Sequence, residues 1–414
     1  MEGRAVVTCF LRHEGAVLLL KRSDEVGSYP GQWGGVAGHA EGAPDDAAFR
    51  EIREETGLTE DNVALVRRGD PFNVTDEALG VEWRVHPYLF DADTREVTTN
   101  WETERVEWVA PTAIRHRKTV PGLWTSYDRV RPSVETVATD REHGAASISV
   151  SALEVLRDEA ALAAERGGDC AHLAAVARDL LDARPSMSVV RNRVNRVMHA
   201  VGDAETARPV EHVASAAIER AVSADRRAAE WAVDHVGGQR VATLSRSGTV
   251  LQALSYADPE AVLVAESRPG REGVAVAEAL ADETDVTLTT DAGFAHALET
   301  WDADVLLVGA DTVLADGRVV NKVGTRAAAI ASSFEGIRVL VTAAADKLSP
   351  DGTIDLEARD TAEVYDGDAD VAVVNRTFDV TPPDCVDGVI TERGLLDGAA
   401  VARVVEDHRT NAKW

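Results

Sequence analysis

GVAGHAEGAPDDAAFREIREETGL, residues 35–58, is the stretch on which the reading of the amino-terminal fold turns. Its second half reads as a helix from about Asp45 to Thr56. Pro44 stands near the start, where a missing N–H is harmless, and Gly57 stands where a left-handed turn would end the helix. Glu51, Glu54 and Glu55 fall at i, i+3 and i+4, so their carboxylates leave one face. Like charges at that spacing repel, and Arg50 can brace only one of them. A divalent ion neutralises such a set, and all-oxygen ligation suits magnesium or manganese. A solvated acidic helix is the competing reading for three glutamates taken alone.

Working outward, RAVVTCFLRHEGAVLLLKR (residues 4–22) patterns as two aliphatic strands joined at His13-Glu14-Gly15. A glycine-rich loop follows from Gly31 to Gly38, and VALVRRG, VEWRVHPYLFD and VEWVA are strand-like. Residues 1–111 therefore read as a compact α/β domain. Residues 112–140, with RHRK, Pro121 and Pro132, read as a connection. Over 141–236 the period turns helical, as in ALEVLRDEAALAAE and VVRNRVNRVMHAVG. Over 237–414 short apolar runs alternate with helices or loops: RVATLS, AVLVAES, DVTLTT, ADVLLVGAD, IRVLVTAA and DVAVVN. That rhythm predicts a Rossmann-like, doubly wound parallel sheet with ligands at the carboxyl ends of its strands.

The net charge is −28, from 71 acids and 43 bases, and lysine occurs only at positions 21, 118, 322, 347 and 413. A surface so rich in carboxylate and poor in lysine resembles that of proteins from salt-loving archaea; an ordinary acidic cytosolic protein is the alternative. Neither offers a basic stripe, so direct nucleic-acid binding is not expected. No apolar run reaches the length of a membrane span, and the first residues lack a secretion signal, so a cytoplasmic location is expected. Cys9, Cys170 and Cys385 form neither a zinc pattern nor a disulfide framework.

In the second half, Ser245, Ser247, Gly248 and Thr249 make a small-residue loop after a buried strand, where backbone N–H groups can cradle a phosphate. Arg268 and Lys322 are isolated bases near strand ends, Asn321 adjoins Lys322, and Asp311 follows an apolar strand directly. As a set they favour a phosphate pocket over scattered surface ion pairs.

Two resemblances add to this reading. Gly35, Glu41, Arg50, Glu51, Ile52, Glu54, Glu55, Gly57 and Leu58 together resemble the Nudix box. The spacer before Arg50 is one residue longer than the family's, which puts Glu41 in question but leaves the helical ligands in place. The resemblance implies an α/β/α sandwich and a hydrolase of nucleoside diphosphates linked to another group, such as an ADP-sugar. It further implies magnesium or manganese held by Glu51, Glu54 and Glu55, with Glu54 or Glu55 as base, Arg50 in support and Gly35 at the substrate. The remainder resembles the family of the initiation factor 2B alpha, beta and delta subunits, ribose-1,5-bisphosphate isomerase and methylthioribose-1-phosphate isomerase. ARPSM (183–187), TLSRSGTV (243–250), AESRPGREG (265–273), VGADTVLADGRVVNKVGT (308–325) and FDVTPPDCVDGVITERG (378–394) carry that likeness.

By this second resemblance a phosphosugar or nucleotide would meet Arg184, Ser247, Arg268, Asn321 and Lys322, and Asp311 would carry proton movement. Ser245 stands at the family's catalytic cysteine and His143 at its arginine, and a hydroxyl is a far weaker acid than a thiol. Three functions stay open: a Nudix hydrolase fused to a phosphosugar-binding domain, a regulatory or assembly protein with a nucleotide-sensing Nudix domain, and an aldose–ketose isomerase. The family likeness also implies a homo-oligomer joined through the Rossmann-like domain.

Overall fold

The computed structural model describes residues 2–40, 42–141, 143–167, 170–202, 206–352 and 354–414. The chain forms two compact units. The first comprises Met1–Thr136, Glu154–Leu173 and Glu205–Glu219, and the second Val137–Leu153, Ala174–Ala204 and Arg220–Trp414.

In the first unit the strands are β1 (Glu2–His13), β2 (Ala16–Arg22), β3 (Trp33–Gly34) and β4 (Val36–His39), then helix α1 (Pro44–Thr56). After it come β5 (Val63–Arg68), β6 (Phe72–Asp76), β7 (Val81–Ala92), β8 (Thr103–Val109) and helix α2 (Leu123–Asp128). The expected hairpin is present. Arg12 pairs with Val17 and His13 with Ala16, and the turn residues Glu14 and Gly15 both take positive φ, 51° and 78°. That combination matches the right-handed twist of the flanking strands.

The mixed sheet runs β3-β2-β1-β7-β5, with β4 beside β1, β6 beside β7 and β8 beside β2. Strand alternation sends Val7, Cys9, Leu11, Tyr88 and Phe90 against Ala47, Ala48 and Ile52 of α1. Phe10, Val17, Leu19 and Leu89 go to the other face, against Ile114, Leu123, Tyr127 and Val130. The stretch expected to be a connection thus contributes the layer that closes the second face, and the result is an α/β/α sandwich.

The helices that follow are α3 (Val134–Thr139), α4 (Ala145–Glu165), α5 (Cys170–Ala183), α6 (Ser188–Val201) and α7 (Arg208–Val236). Glu154, in the part of α4 belonging to the first unit, is fully buried and accepts from Arg12, whose guanidinium also binds Asp91.

The second unit continues with β9 (Arg240–Leu244), α8 (Gly248–Ala257), β10 (Ala261–Ala265), α9 (Glu272–Leu280), β11 (Val286–Thr289) and α10 (Asp291–Thr300). Next come β12 (Val305–Val308), β13 (Thr312–Leu314), β14 (Val319–Lys322), α11 (Thr325–Glu335) and β15 (Arg338–Thr342). The chain closes with β16 (Leu348–Ser349), β17 (Phe378–Thr381), β18 (Gly388–Thr391), β19 (Gly394–Leu396) and α12 (Gly398–Asn411). Strand order is β11-β10-β9-β12-β15-β18-β19, parallel except for β19. Val262 and Val264 of β10 face α7, α8 and α9, while Leu263 and Ala265 share a core with α10, α11 and α12. Burial on both faces is why these strands read as unbroken apolar runs. The doubly wound sheet is therefore as expected, with one correction. DVAVVN (370–375) is not a strand: Val374 is 82% exposed and Val371 54%. Just beyond it Arg376 bridges Ala358, and the Asn375 carbonyl accepts from the Arg359 N–H at 3.2 Å.

No helix among the described residues is long and apolar enough to cross a membrane.

Candidate functional sites

In the first unit the site grows from α1 and β4. Helix α1 starts at Pro44 and ends on Gly57 in the left-handed conformation, φ 73°, whose N–H returns to the Arg53 carbonyl. Glu51 and Glu55 turn inward, and Glu54 is exposed. A Cβ on Gly38 would collide with the Glu51 carboxylate, so the absence of a side chain there is what lets the acid lie along β4. Arg50 donates to Glu51 Oε1 at 3.1 Å and to the His39 carbonyl at 3.0 Å, tying helix to strand.

Glu55 is 6% exposed and accepts only a long bond, 3.4 Å, from the Ala37 N–H. Burial pushes its carboxyl up to about 8, and the nearby acids Glu102 and Glu51 push the same way. Burial likewise raises Glu51, opposed by Arg50. Glu102, on the approach to β8, is a member of this acidic group that the motif does not include. A Cβ on Gly35 would stand 2.8 Å from the Cys9 carbonyl, so Gly35 permits close backbone approach to β1. Glu41 lies outside the described residues.

Among the described residues no three His, Cys, Asp or Glu side chains are gathered around one point. That is compatible with magnesium, which keeps several waters and takes only one or two carboxylates besides substrate phosphates. The donor chemistry, all carboxylate and short of neutralising charge, fits a hard cation.

In the second unit the strand order reverses between β9 and β12, the crevice where doubly wound sheets bind ligands. Ser247 caps α8 there, its hydroxyl accepting from Val250 N–H. A Cβ on Gly309, just after β12, would come 2.6 Å from Ser247 Oγ, so the two loops are in contact only because that residue is glycine. Ser245 takes φ 61° and donates its N–H to Ser267 Oγ at 2.7 Å. Asp291 accepts from the N–H groups of Ser267 and Arg268, at 2.8 and 2.6 Å, and fixes the next loop.

Asp311 is half-buried but crowded by protein atoms. Desolvation raises its pKa, against the pull of Lys347 and Lys322. Both lysines are buried. Lys347 donates to the Ala310 carbonyl at 2.6 Å, and Lys322 is ion-paired with Glu272, whose Oε2 has no hydrogen-bond partner. Asn321 donates to Thr325 Oγ1 at 3.0 Å.

The structure therefore brings Ser245, Ser247, Asp311, Asn321 and Lys322 to the carboxyl ends of the strands. Arg268 reaches the same loops, but its side chain is exposed and turned to Glu266 at 3.6 Å. Arg184 is elsewhere committed: it is buried and donates to the carbonyls of Val137 and Asp140. His143 shares that corner, its Nδ1 2.8 Å from Asp140. Sequence reasoning missed Glu272 and Lys347. Lys347 carried a usable signal, since lysine is so rare here that each one invites explanation.

Comparison with known proteins assigns each half of the chain to a family. A NUDIX domain model matches residues 1–130, and the initiation factor 2 subunit family model matches residues 141–398. The chain is 34% identical over 306 residues to ribose 1,5-bisphosphate isomerase of Haloferax volcanii, covering 68% of this chain and 94% of that protein. It is 34% identical over 170 residues to methylthioribose-1-phosphate isomerase of Pseudomonas fluorescens, covering 38% and 48%. The solved translation initiation factor eIF-2B of Pyrococcus horikoshii OT3 superposes with a TM-score of 0.54 at 26% identity, covering 64% of this chain and 94% of that one. The chain therefore belongs to the initiation factor 2 subunit family and carries a NUDIX domain ahead of the family region.

Proposed function

We propose that the amino-terminal domain hydrolyses a nucleoside diphosphate linked to a second group, such as an ADP-sugar, with magnesium or manganese, and that the second domain binds a phosphosugar or nucleotide. The observation that carries the first part is Glu55, buried beside Glu51 and Glu102 with its carboxyl raised to about 8. A group so poised is suited to accept a proton from water near neutral pH. Of Glu51, Glu54 and Glu55, one or two would hold the ion directly and the remainder through its waters; when bound it supplies charge neutralisation of the diphosphate and a more acidic water. Arg50 orients Glu51 throughout, and Gly38 leaves room for its carboxylate.

Screening nucleoside-diphosphate sugars with magnesium tests this. Turnover by the full chain, lost in Glu54→Gln and Glu55→Gln, is expected; no product across the panel would reject it. Cleavage of such a substrate releases a sugar phosphate, which the second domain is equipped to receive.

A second reading makes the family region a sugar-phosphate isomerase. It is favoured by Asp311, raised and flanked by Lys322 and Lys347, and by likeness to the Haloferax enzyme over nearly its whole length. Turnover of ribose 1,5-bisphosphate that Asp311→Asn abolishes would establish it. A regulatory or assembly role, also represented in the family, predicts ligand binding without turnover. Family membership further suggests a cytoplasmic homo-oligomer assembled through the Rossmann-like domain, to be read by sedimentation.

A further inference from the structure

Ala345–Lys347 is a three-residue turn of the second unit, and side chains from α6, α12 and the residue after β18 hold it from several sides. Asn192 Nδ2 donates to the carbonyls of Asp346 and Leu348, at 2.8 and 2.9 Å, and so brackets Lys347 along the chain. Arg193 and Arg196 both bind the Asp346 carboxylate. Glu392 Oε2 accepts from the Ala345 N–H at 2.8 Å. His408 Nε2 lies 3.0 Å from the Ala345 carbonyl, which can only accept, so this nitrogen carries the proton. Asn192, Asp346 and His408 are buried, and none of them is open to a ligand. Asn192 Oδ1 and His408 Nδ1 are moreover buried without partners. An unpaired buried acceptor is unfavourable, and an apolar side chain of similar shape would avoid it. What the amide and the imidazole contribute is therefore at their other ends, on this turn.

The side chain so held is that of Lys347. It is 8% exposed, and its Nζ donates at 2.6 Å to the carbonyl of Ala310, the residue before Asp311. Strand pairing sets its place: Val313 of β13 stands opposite Leu348 of β16, which brings Lys347 level with Thr312. An ammonium has three donors, and among the described residues only one of these has an acceptor. Lys322 is neutralised by Glu272, whereas Lys347 enters no salt bridge among the described residues. A buried charge without a partner in contact is unfavourable, and in a chain with 71 acids its isolation is not for want of carboxylates. An anion entering beside Asp311 would supply what is missing.

We propose that this turn is a built seat for Lys347: Asn192, Asp346 and His408 are positioning residues that hold its ammonium beside Asp311, where its two free N–H groups meet an anionic oxygen of the phosphosugar. The inference rests on the reading that the second domain binds a phosphosugar, and it does not require turnover.

The test is calorimetric titration of the full chain with ribose 1,5-bisphosphate in EDTA, which leaves the first unit without its ion. Lys347→Met, which removes the charge and keeps much of the length, should weaken binding about tenfold. Asn192→Leu, of similar shape, should weaken it about fivefold through the loss of the two bonds that bracket the lysine. His408→Leu should act in the same direction, while His408→Gln, which keeps an N–H for the Ala345 carbonyl, should restore most of the affinity. The decisive readout is the double variant. If Asn192 and His408 act through Lys347, adding either leucine to Lys347→Met should change binding by less than about twofold. A purely structural role would lower stability and weaken binding equally in both backgrounds. Lys347→Met binding as tightly as the wild type, or effects of Asn192→Leu and His408→Leu that persist in full without Lys347, overturns the proposal and leaves phosphosugar binding standing. A wild-type chain that binds no ribose 1,5-bisphosphate sinks the phosphosugar reading, and the proposal with it.

Discussion

Replacing Glu55 by glutamine should stabilise the metal-free protein above neutral pH and remove its stabilisation by magnesium. In the folded chain burial raises this carboxyl from the ordinary 4.5 to about 8. Its contribution to stability is therefore full below the unfolded value and lost as pH rises through about 8. Ionising a group whose pKa stands that far above its unfolded value costs up to roughly 5 kcal/mol, at about 1.4 kcal/mol for each tenfold. A bound divalent ion offsets this, and saturation a hundredfold above Kd adds about 2.7 kcal/mol. The assay is thermal unfolding on either side of that window, in EDTA and in magnesium. The wild type should lose stability with rising pH in EDTA and recover it with magnesium; Glu55→Gln should show a much flatter response to both. An unchanged pH slope or an unchanged magnesium shift in Glu55→Gln would refute the reasoning, since no buried, ion-seeking carboxylate would then exist at this position.

Other outcomes follow from the second unit. Glu272 holds Lys322 in an ion pair while leaving one oxygen unsatisfied, so it competes with any incoming phosphate. Glu272→Gln should tighten inorganic phosphate binding about tenfold by calorimetry, the weight of one such charge contact. Asp346 is buried and accepts from Arg193 Nε at 3.1 Å and from Arg196. Burial alone would raise its carboxyl, but the two arginines hold it below the usual range. Asp346→Ala leaves Arg193, 1% exposed, without that partner and should cost about 3–5 kcal/mol in urea unfolding. The same pair predicts stability that is present above the ordinary aspartate range and lost as pH falls through and below it. Finally, Ser245→Cys places a thiol in the loop after β9, at the position where the sequence resemblance puts the family's catalytic cysteine. It should create or raise turnover of ribose 1,5-bisphosphate if Asp311 is competent, and a variant that binds this ligand without turnover would mark the domain as a binding module.

Local chemistry made much of this protein legible from its sequence. The hairpin at Glu14-Gly15, the capped helix from Pro44 to Gly57 and the apolar strands of the second unit are each specified by a few adjacent residues. The spacing of Glu51 and Glu55 already put their carboxylates on one face. What the letters could not show is what that face meets. Glu102 joins the acids because β8 lies beside β2 in the sheet, and a Cβ-free Gly38 makes room for Glu51; both depend on strand pairing. Lys322, Lys347 and Asp311 converge for the same kind of reason, from the end of β14, the turn before β16 and the loop after β12. DVAVVN marks the opposite limit: its composition is that of a buried strand, but no neighbouring strand claims it, and it stays exposed. Periodicity depends on neighbours along the chain and is written into the sequence. Burial, charge crowding and the pKa of Glu55 depend on neighbours in space, which only the folded chain supplies.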